Sequence, residues 1–590
     1  MRGRGFKNFV MAAICMLVGS AGFTPAVAAE KEPTATGTGG AVATVDHKAS
    51  RAGMRILRRG GNAVDAAVAA AGVLGVTEPF SCGIGGGGFM VIYDENGKVV
   101  TTIDHRELSP AAMAPSSFIE NGVPLPFNDA RYSGLSAGVP GTVRGWNKAL
   151  KRYGTMSLAQ VLKPATGVAQ KGFIVDQTFV DQTTPNVDYF DDIKSTKELY
   201  LDPDGTPLDV GSRFRNRDLA FTLHVIRHLG PKGFYDGQVA EAMVEAAQDP
   251  PLTRSANHEW RPGLMTVDDV RGYTAPEREP THVDYRGLDV YGMGPPSSGG
   301  STVGEALNIL EGFDLEDLSR EEALHLYLEA SRYAFADRNA YLADPAFFDV
   351  PLQGLLSDGF AAERRSLITD QAATSPVAPG DPYPYNDSPG RARKGSATVE
   401  RTGSTTHLTT TDRWGNVVSY TFTIESTGGN GIVVPGYGFL LNNELTDFNF
   451  DSTTHPNRAD GHKRPRSSMS PTIVLRDGEP VVALGSPGGS TIITIVLQLL
   501  VEHIDFDKTL PEAIVEPRLS QRNTTTTLAE PAFQTTPEAA ALTARGHSFV
   551  TTPEIGAATG IEFLSGRTVR AAAEPVRRGG GSALVQNPAP

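Results

Sequence analysis

The stretch that most constrains this chain is residues 403–425, Gly-Ser-Thr-Thr-His-Leu-Thr-Thr-Thr-Asp-Arg-Trp-Gly-Asn-Val-Val-Ser-Tyr-Thr-Phe-Thr-Ile-Glu. β-Branched and aromatic residues fill both flanks, and Asp-Arg-Trp-Gly-Asn between them supplies turn chemistry. The pattern predicts a β-hairpin with strands near 405–411 and 417–424. With the turn centred on Trp414, Thr405 and Thr423 lie equally far from it and face one another at the open end. Cross-strand partners sit about 5 Å apart, within reach of a side-chain hydrogen bond. Read locally, the same stretch is also an ordinary threonine-rich strand pair.

The rest of the chain narrows the setting. At 590 residues, 40% hydrophobic and 20% charged, it has the make-up of a large globular body rather than a disordered one. A formal net charge of −14 argues against a nucleic-acid or anionic-membrane partner. Arg2, Arg4 and Lys7, an apolar run over 9–23 and Ala26-Val27-Ala28 read as a signal peptide over residues 1–28, which implies export to the periplasm or the medium. No later segment is apolar enough to anchor the product in a membrane. Of the two cysteines, Cys15 lies inside this signal, so the mature chain keeps Cys82 alone, read as a core thiol, and has no internal disulfide.

Along the chain, residues 30–40 read as a flexible leader, 41–45 as a short strand, and 48–59 and 63–76 as helices, with Asn62 capping the second. Gly83, Gly85 and Gly88 satisfy Gly-x-Gly-x-x-Gly, but the run leads into a strand over 89–93 rather than a helix, which excludes a dinucleotide site. Residues 147–280 read mostly as helices and loops. Residues 302–310 read as a helix, 321–342 as a long amphipathic one, and the Pro- and Gly-rich 371–403 as a mobile segment. Strands are expected at 438–442, 471–476 and 481–485, a helix over 490–503, and a strand–turn–strand over 561–571 before a polar tail. There is no His-Glu-x-x-His, so a zincin is not indicated.

A threonine hydroxyl is a poor nucleophile until a base takes its proton. Cutting the chain just before the threonine supplies one, its own α-amine, with a reference pKa of about 7.7–8.0. Ser-Thr-Thr-His at 404–407 resembles the processing site of γ-glutamyltranspeptidases, N-terminal-nucleophile hydrolases that cut themselves into two subunits. Asn-Asn-Glu-Leu-Thr-Asp-Phe (442–448), Lys-Arg-Pro-Arg-Ser-Ser-Met-Ser-Pro-Thr (463–472) and Gly-Ser-Pro-Gly-Gly (485–489) are similar to the same family's motifs. The resemblance covers nearly the whole mature chain. It implies an αββα sandwich, two antiparallel sheets between helical layers, and subunits 29–404 and 405–590 held together as a heterodimer.

The resemblance also implies a set of roles. Thr405 is the nucleophile, Thr423 orients it, and the N–H groups of Gly488 and Gly489 hold the oxyanion. Arg106, Ser467 and Ser468 take the α-carboxylate of a γ-glutamyl donor, and Glu425, Glu444 and Asp447 take its α-ammonium. No metal or cofactor is called for, and His407 is structural. Partners are the γ-glutamyl substrate and a water, amino-acid or peptide acceptor. Three features depart from the family pattern. Glu425 and Glu444 stand where some members carry Asn and Gln, Arg466 replaces the usual Leu, and only the short stretch 448–466 separates Asp447 from Ser467, which implies a site without a lid. A glutaryl or cephalosporin acylase, a poly-γ-glutamate depolymerase, and a non-catalytic secreted binding protein of the same fold are the alternatives.

Overall fold

A computed structural model describes residues 31–387 and 403–589. The expected signal peptide and residues 388–402 of the expected mobile segment lie outside the described residues. The principal strands in chain order are β1 (Thr34–Thr44), β2 (Gly87–Asp94), β3 (Val99–Asp104), β4 (Thr281–Tyr285), β5 (Leu288–Gly292), β6 (Thr406–Asp412), β7 (Val417–Thr423), β8 (Thr472–Arg476), β9 (Glu479–Gly485), β10 (Thr559–Phe563), β11 (Thr568–Ala573) and β12 (Ser582–Pro588). The helices that matter for the site are α1 (His47–Arg58), α2 (Ala63–Thr77), α3 (Gln177–Thr183), α4 (Gly299–Leu310), α5 (Arg320–Tyr341) and α6 (Thr491–Ile504).

Two antiparallel sheets share β1. Its second half pairs with β6, Gly40 opposite Asp412 through Thr44 opposite Leu408, and opens a sheet ordered β1-β6-β7-β2-β3. Its first half pairs with β11, Thr34 opposite Ala572, and opens a sheet ordered β1-β11-β10-β9-β8-β5-β4. The change of partner falls at Gly39 and Gly40, whose φ values of +87° and +121° only glycine adopts without strain. The sheets then meet across polar and apolar contacts. Ser419 Oγ on β7 donates to Leu484 O on β9 at 3.0 Å, and Phe89, Val91 and Tyr93 on β2 share a core with Ile473 on β8 and Leu484. The alternate residues Met90 and Ile92 pack with α2 instead, while α4, α5 and α6 cover the far sheet. This is the expected antiparallel α/β sandwich, with helices outside two sheets.

Five expectations are corrected. Residues 34–40 are not a leader but the first half of β1, and the polar tail forms β12, which pairs along β1 from Gly37–Pro588 to Thr44–Ser582. Residues 34–40 consist of Thr, Ala and Gly, and the tail ends in Gln-Asn-Pro, so each carries little strand signal of its own and is held by pairing. Residues 438–442 form only an isolated bridge, Leu440 to Val433. Helix α5 is not amphipathic in its setting, since every residue from Ala323 to Tyr341 is buried. Its polar side is covered by residues 369–380: His325 Nε2 lies 2.7 Å from Thr369 O, Glu329 accepts from Ala373 N at 3.1 Å, and Asp337 accepts from Gly380 N at 2.6 Å. The described part of the expected mobile segment is therefore fastened to α5.

Elsewhere the expected elements form. Asn62 caps α2 in a reciprocal box with Asp65. Cys82 is a buried thiol, pushed well up by desolvation. Among the described residues, no helix is long and apolar enough to cross a membrane.

Candidate active site

The hairpin forms as expected. Asp412 Oδ1 accepts from the N–H groups of Trp414, Gly415 and Asn416, which fixes the turn. The register then runs from Thr411–Val417 to Thr406–Phe422 and brings Thr405 to Thr423, with Oγ1 to Oγ1 at 3.3 Å. Beneath this open end the glycine run of residues 83–88 lies against the hairpin backbone. A Cβ on Gly86 would fall 1.9 Å from Thr423 O, and one on Gly88 would fall 2.4 Å from Thr421 O. Close backbone approach, rather than phosphate binding, accounts for those glycines.

The Ser404–Thr405 peptide is intact and tightly held. Thr405 Oγ1 and Thr423 Oγ1 each donate to Ser404 O at 2.7 Å, and Ser404 N donates to Glu425 O at 2.7 Å. Arg578 donates through Nη1 to Thr405 O at 2.7 Å and through Nη2 to Ser81 Oγ at 2.6 Å, and Ser404 Oγ donates to Ser81 Oγ at 2.9 Å. Sequence reading assigned no role to Ser81 or Arg578, because both are remote from Thr405 along the chain. Facing the hairpin, Gly488 and Gly489 have φ of +140° and +59° in the turn before α6. Their N–H groups have no hydrogen-bond acceptor among the described residues and sit at a helix start, where backbone donors are unpaired.

A cavity of about 120 Å³ opens beside Thr405 and collects Thr423, Gly489, Arg106, Glu425, Glu444, Asp447, Ser467 and Ser468. Gly488 lines the neighbouring cavity instead. The sequence reading set Arg106 and the three carboxylates at opposite ends of a clamp. In this uncleaved chain the two ends touch: Arg106 pairs with Glu444 through Nη1 and with Asp447 through Nη2, the latter at 2.5 Å. Its remaining bonds, Nε to Pro465 O at 3.1 Å and Nη2 to Arg466 O at 3.0 Å, fix the fork from behind. Burial lowers the Arg106 pKa, but Glu444 and Asp447 outweigh it and the guanidinium stays charged.

The other members are positioned just as closely. Ser468 Oγ accepts from Arg338 Nη2 at 2.7 Å, and Arg338 Nε donates to Ser298 Oγ at 2.9 Å, so α5 supports the serine pair from below. An arginine only donates, which leaves the Ser468 hydrogen for an acceptor in the cavity. Glu425, at φ +77°, accepts from Ser426 Oγ and Asn443 Nδ2. Burial pushes its carboxyl up to about 6, and Asp447 adds to the rise. Arg466 is buried and also lines the cavity. Phe448 and Phe450 share a small core with Phe118, and Asn449 and Asp451 face the cavity. His407 is fully buried between Thr421 Oγ1 at 2.8 Å and Thr409 Oγ1 at 3.1 Å, and desolvation holds it down to about 3. It is a neutral packing histidine.

Behind Arg106 lies Glu107, whose two oxygens, like Glu444 Oε2, meet no N–H or hydroxyl donor among the described residues. Desolvation pushes Glu107 up to about 8 against the pull of Arg106, and desolvation also raises Glu444. A carboxyl whose folded pKa is raised stabilises the fold below its unfolded value, and that stability is lost as pH climbs to the folded one. For Glu107 the window runs from about 4.5 to about 8. Glu107→Gln is therefore expected to flatten the fall in Tm across that window, read by thermal melts at both ends; an unchanged slope counts against the raised Glu107 carboxyl.

With the geometry set out, its relatives can be placed beside it. The gamma-glutamyltranspeptidase family model matches residues 49–584. The glutathione hydrolase proenzyme of Bacillus subtilis (strain 168) is 40% identical over 528 residues, 87% of each chain. The Acylase ACY 1 proenzyme of Pseudomonas sp. (strain SE83) is 37% identical over 558 residues, 92% of this chain and 93% of that one. In structure, the cephalosporin acylase from Bacillus halodurans superposes with a TM-score of 0.82 at 27% identity, covering 97% of this chain and 99% of the other. A hairpin that sets Thr405 on its own preceding carbonyl, inside a match this long, leads to one conclusion: the chain belongs to the γ-glutamyltranspeptidase family.

Proposed function

We propose that this protein is an exported γ-glutamyltransferase and glutathione hydrolase that matures by cutting itself between Ser404 and Thr405. The observation that carries the reading is the Ser404 carbonyl oxygen, held by the Thr405 and Thr423 hydroxyls at 2.7 Å each. In maturation Thr405 Oγ1 attacks the Ser404 carbonyl carbon, the C–N bond breaks, and the hydroxyl proton passes to the Thr405 nitrogen. Water then hydrolyses the resulting ester, leaving a Ser404 carboxylate and a Thr405 with free amine and hydroxyl. Residues 29–404 and 405–590 stay together because β1 and β2 from the first pair with β6, β7, β11 and β12 from the second.

In turnover the α-amine takes the Thr405 hydroxyl proton as Oγ1 attacks the γ-carbonyl of the donor. Gly488 and Gly489 N–H groups receive the oxyanion, and the proton passes on to the leaving amine. The γ-glutamyl ester on Thr405 is then released to water or to an acceptor amine. Arg106, Ser467 and Ser468 take the donor's α-carboxylate, while Glu425, Glu444 and Asp447 take its α-ammonium. Because Arg106 already pairs with Glu444 and Asp447, a zwitterionic donor enters by exchange: its carboxylate replaces theirs on the guanidinium and its ammonium replaces the guanidinium on them. The relatives named as acylases favour a second reading, that of an acylase.

The test is to quench turnover of a γ-glutamyl anilide in acid and weigh the intact fragments. A γ-glutamyl adduct on the fragment that begins at Thr405 supports the reading, and an adduct elsewhere or none during a measured burst overturns it. The same assay carries a pH prediction. Only the neutral amine is a base, so the rate is expected to rise with pH through an apparent pKa at or below about 7.7–8.0. EDTA is expected to leave it unchanged.

A further inference from the structure

A trough of about 560 Å³ runs over α2 and shares no lining residue with either cavity beside Thr405. One wall is α1 and the other is the helix Lys163–Lys171. Ile56, Val73, Pro164 and Val168 give it an apolar lining. Six exposed cations stand over that lining: Lys48, Arg51, Arg55 and Arg59 along one edge of α1, and Lys163 and Lys171 at the two ends of the facing helix. Among the described residues none of the six makes a side-chain hydrogen bond or an ion pair, and no Asp or Glu lines the trough.

The segregation is written in the sequence. Between Asp46 and Asp65 the chain carries five Lys or Arg and no carboxylate, and between Asp129 and Asp176 seven and none, although its net charge is −14. The carboxylates that bound the first stretch are engaged elsewhere. Asp46 caps α1 by accepting from Ala49 N at 2.9 Å, and Asp65 is fully buried on Asn62 N and Thr155 Oγ1. A second observation points the same way. Gly167 stands at the centre of the helix Lys163–Lys171, where only proline is less favourable. No neighbour requires it, since a Cβ there would meet nothing within 4 Å. Its missing side chain leaves the trough open.

We propose that this trough is a binding site for one amphiphilic phosphate, a phosphate monoester on an alkyl or acyl chain. Unpaired cations crowded around a concave surface raise the potential there and draw in an anion. The guanidinium forks of Arg51 and Arg55 suit a phosphate head group, and the apolar lining suits the chain attached to it. The volume lies within the roughly 300–1,000 Å³ of small-molecule sites. With no carboxylate in the lining there is no partner for an ammonium, which excludes amino acids, peptides and the γ-glutamyl donor. The concave shape admits a single chain rather than a bilayer, and the net charge of the whole protein repels an anionic membrane. The ligand is therefore a free monomer.

The test is titration calorimetry of the purified protein with octyl phosphate below its critical micelle concentration, beside inorganic phosphate and octyl glucoside. Octyl phosphate is expected to bind at least about tenfold more tightly than either, and more weakly as salt rises. The double variant Arg51→Gln/Arg55→Gln is expected to lose about tenfold or more in that affinity. Gly167→Leu is expected to lose as much by filling the trough, while its Tm holds or rises because leucine is the better helix former. Both variants are expected to keep wild-type turnover of a γ-glutamyl anilide. Inorganic phosphate bound as tightly overturns the amphiphile, and octyl glucoside bound as tightly overturns the anion. Wild-type affinity in either folded variant overturns the site. Should Gly167→Leu melt low, the arginine pair decides by the same criterion. Capture by phosphatidylglycerol vesicles with no monomer bound also overturns it, in favour of a membrane surface.

Discussion

Thr405→Ala is expected to leave one uncut chain with no γ-glutamyl turnover. The hydroxyl it removes lies 2.7 Å from the oxygen of the carbonyl that autocleavage must attack, and it is also the group that would carry the acyl chain. Losing a nucleophile that acts as one unit with its base costs about 10⁴-fold or more. The substitution removes little else, because the β6–β7 register is fixed by the Asp412 turn and by the backbone pairs from Thr406–Phe422 to Thr411–Val417. The variant should therefore melt as the precursor does. Thr405→Ser keeps the hydroxyl and is expected to cut and turn over slowly. A Thr405→Ala protein that still appears as two fragments would remove Thr405 from the mechanism.

The second large effect separates γ-glutamyl from glutaryl donors. A glutaryl group keeps the carboxylate and lacks the amine. At this site its carboxylate competes for Arg106 without offering a cation to Glu444 and Asp447, the carboxylates that Arg106 neutralises. Leaving one partner of a desolvated charge pair unpaired costs about 2–5 kcal/mol, roughly 30- to several-thousand-fold. The expected preference for γ-glutamyl over matched glutaryl anilides is at least about a hundredfold in kcat/KM. Asp447→Asn is expected to close most of that gap, chiefly by weakening the γ-glutamyl side, and Arg106→Ala is expected to damage both substrates alike. Comparable wild-type rates would favour the acylase reading.

The hairpin was legible because its turn and its strands are local, and a turn centred on Trp414 leaves Thr405 only one partner, Thr423. The strand over 89–93 and the helix over 490–503 came from strong local patterns, while the layered sandwich came from the family resemblance. What sequence did not disclose depends on distant partners. The 34–40 and 582–588 stretches have weak strand preference and are strands because distant partners pair with them, 568–572 with the first and 37–44 with the second. Helix α5 carries His325, Glu329, Asp337 and Arg338 on faces that would be solvated in isolation, and the chain of 369–380 covers the first three. The contact between Arg106 and the carboxylates Glu444 and Asp447 joins opposite sides of the cleavage point, and Arg578 reaches Thr405 from near the far end of the chain. Asn443, which holds Glu425, stood inside a motif already singled out, so its role had a signal that went unused.

The most direct measurement is to run freshly purified wild-type protein on a denaturing gel and sequence the N-terminus of the smaller band. Two bands are expected, the fragments 29–404 and 405–590, separating without reductant, with the smaller reading Thr-Thr-His-Leu-Thr from Thr405 onward. A full-length protein that still turns over γ-glutamyl anilides, or a small fragment that begins at another residue, would contradict the account.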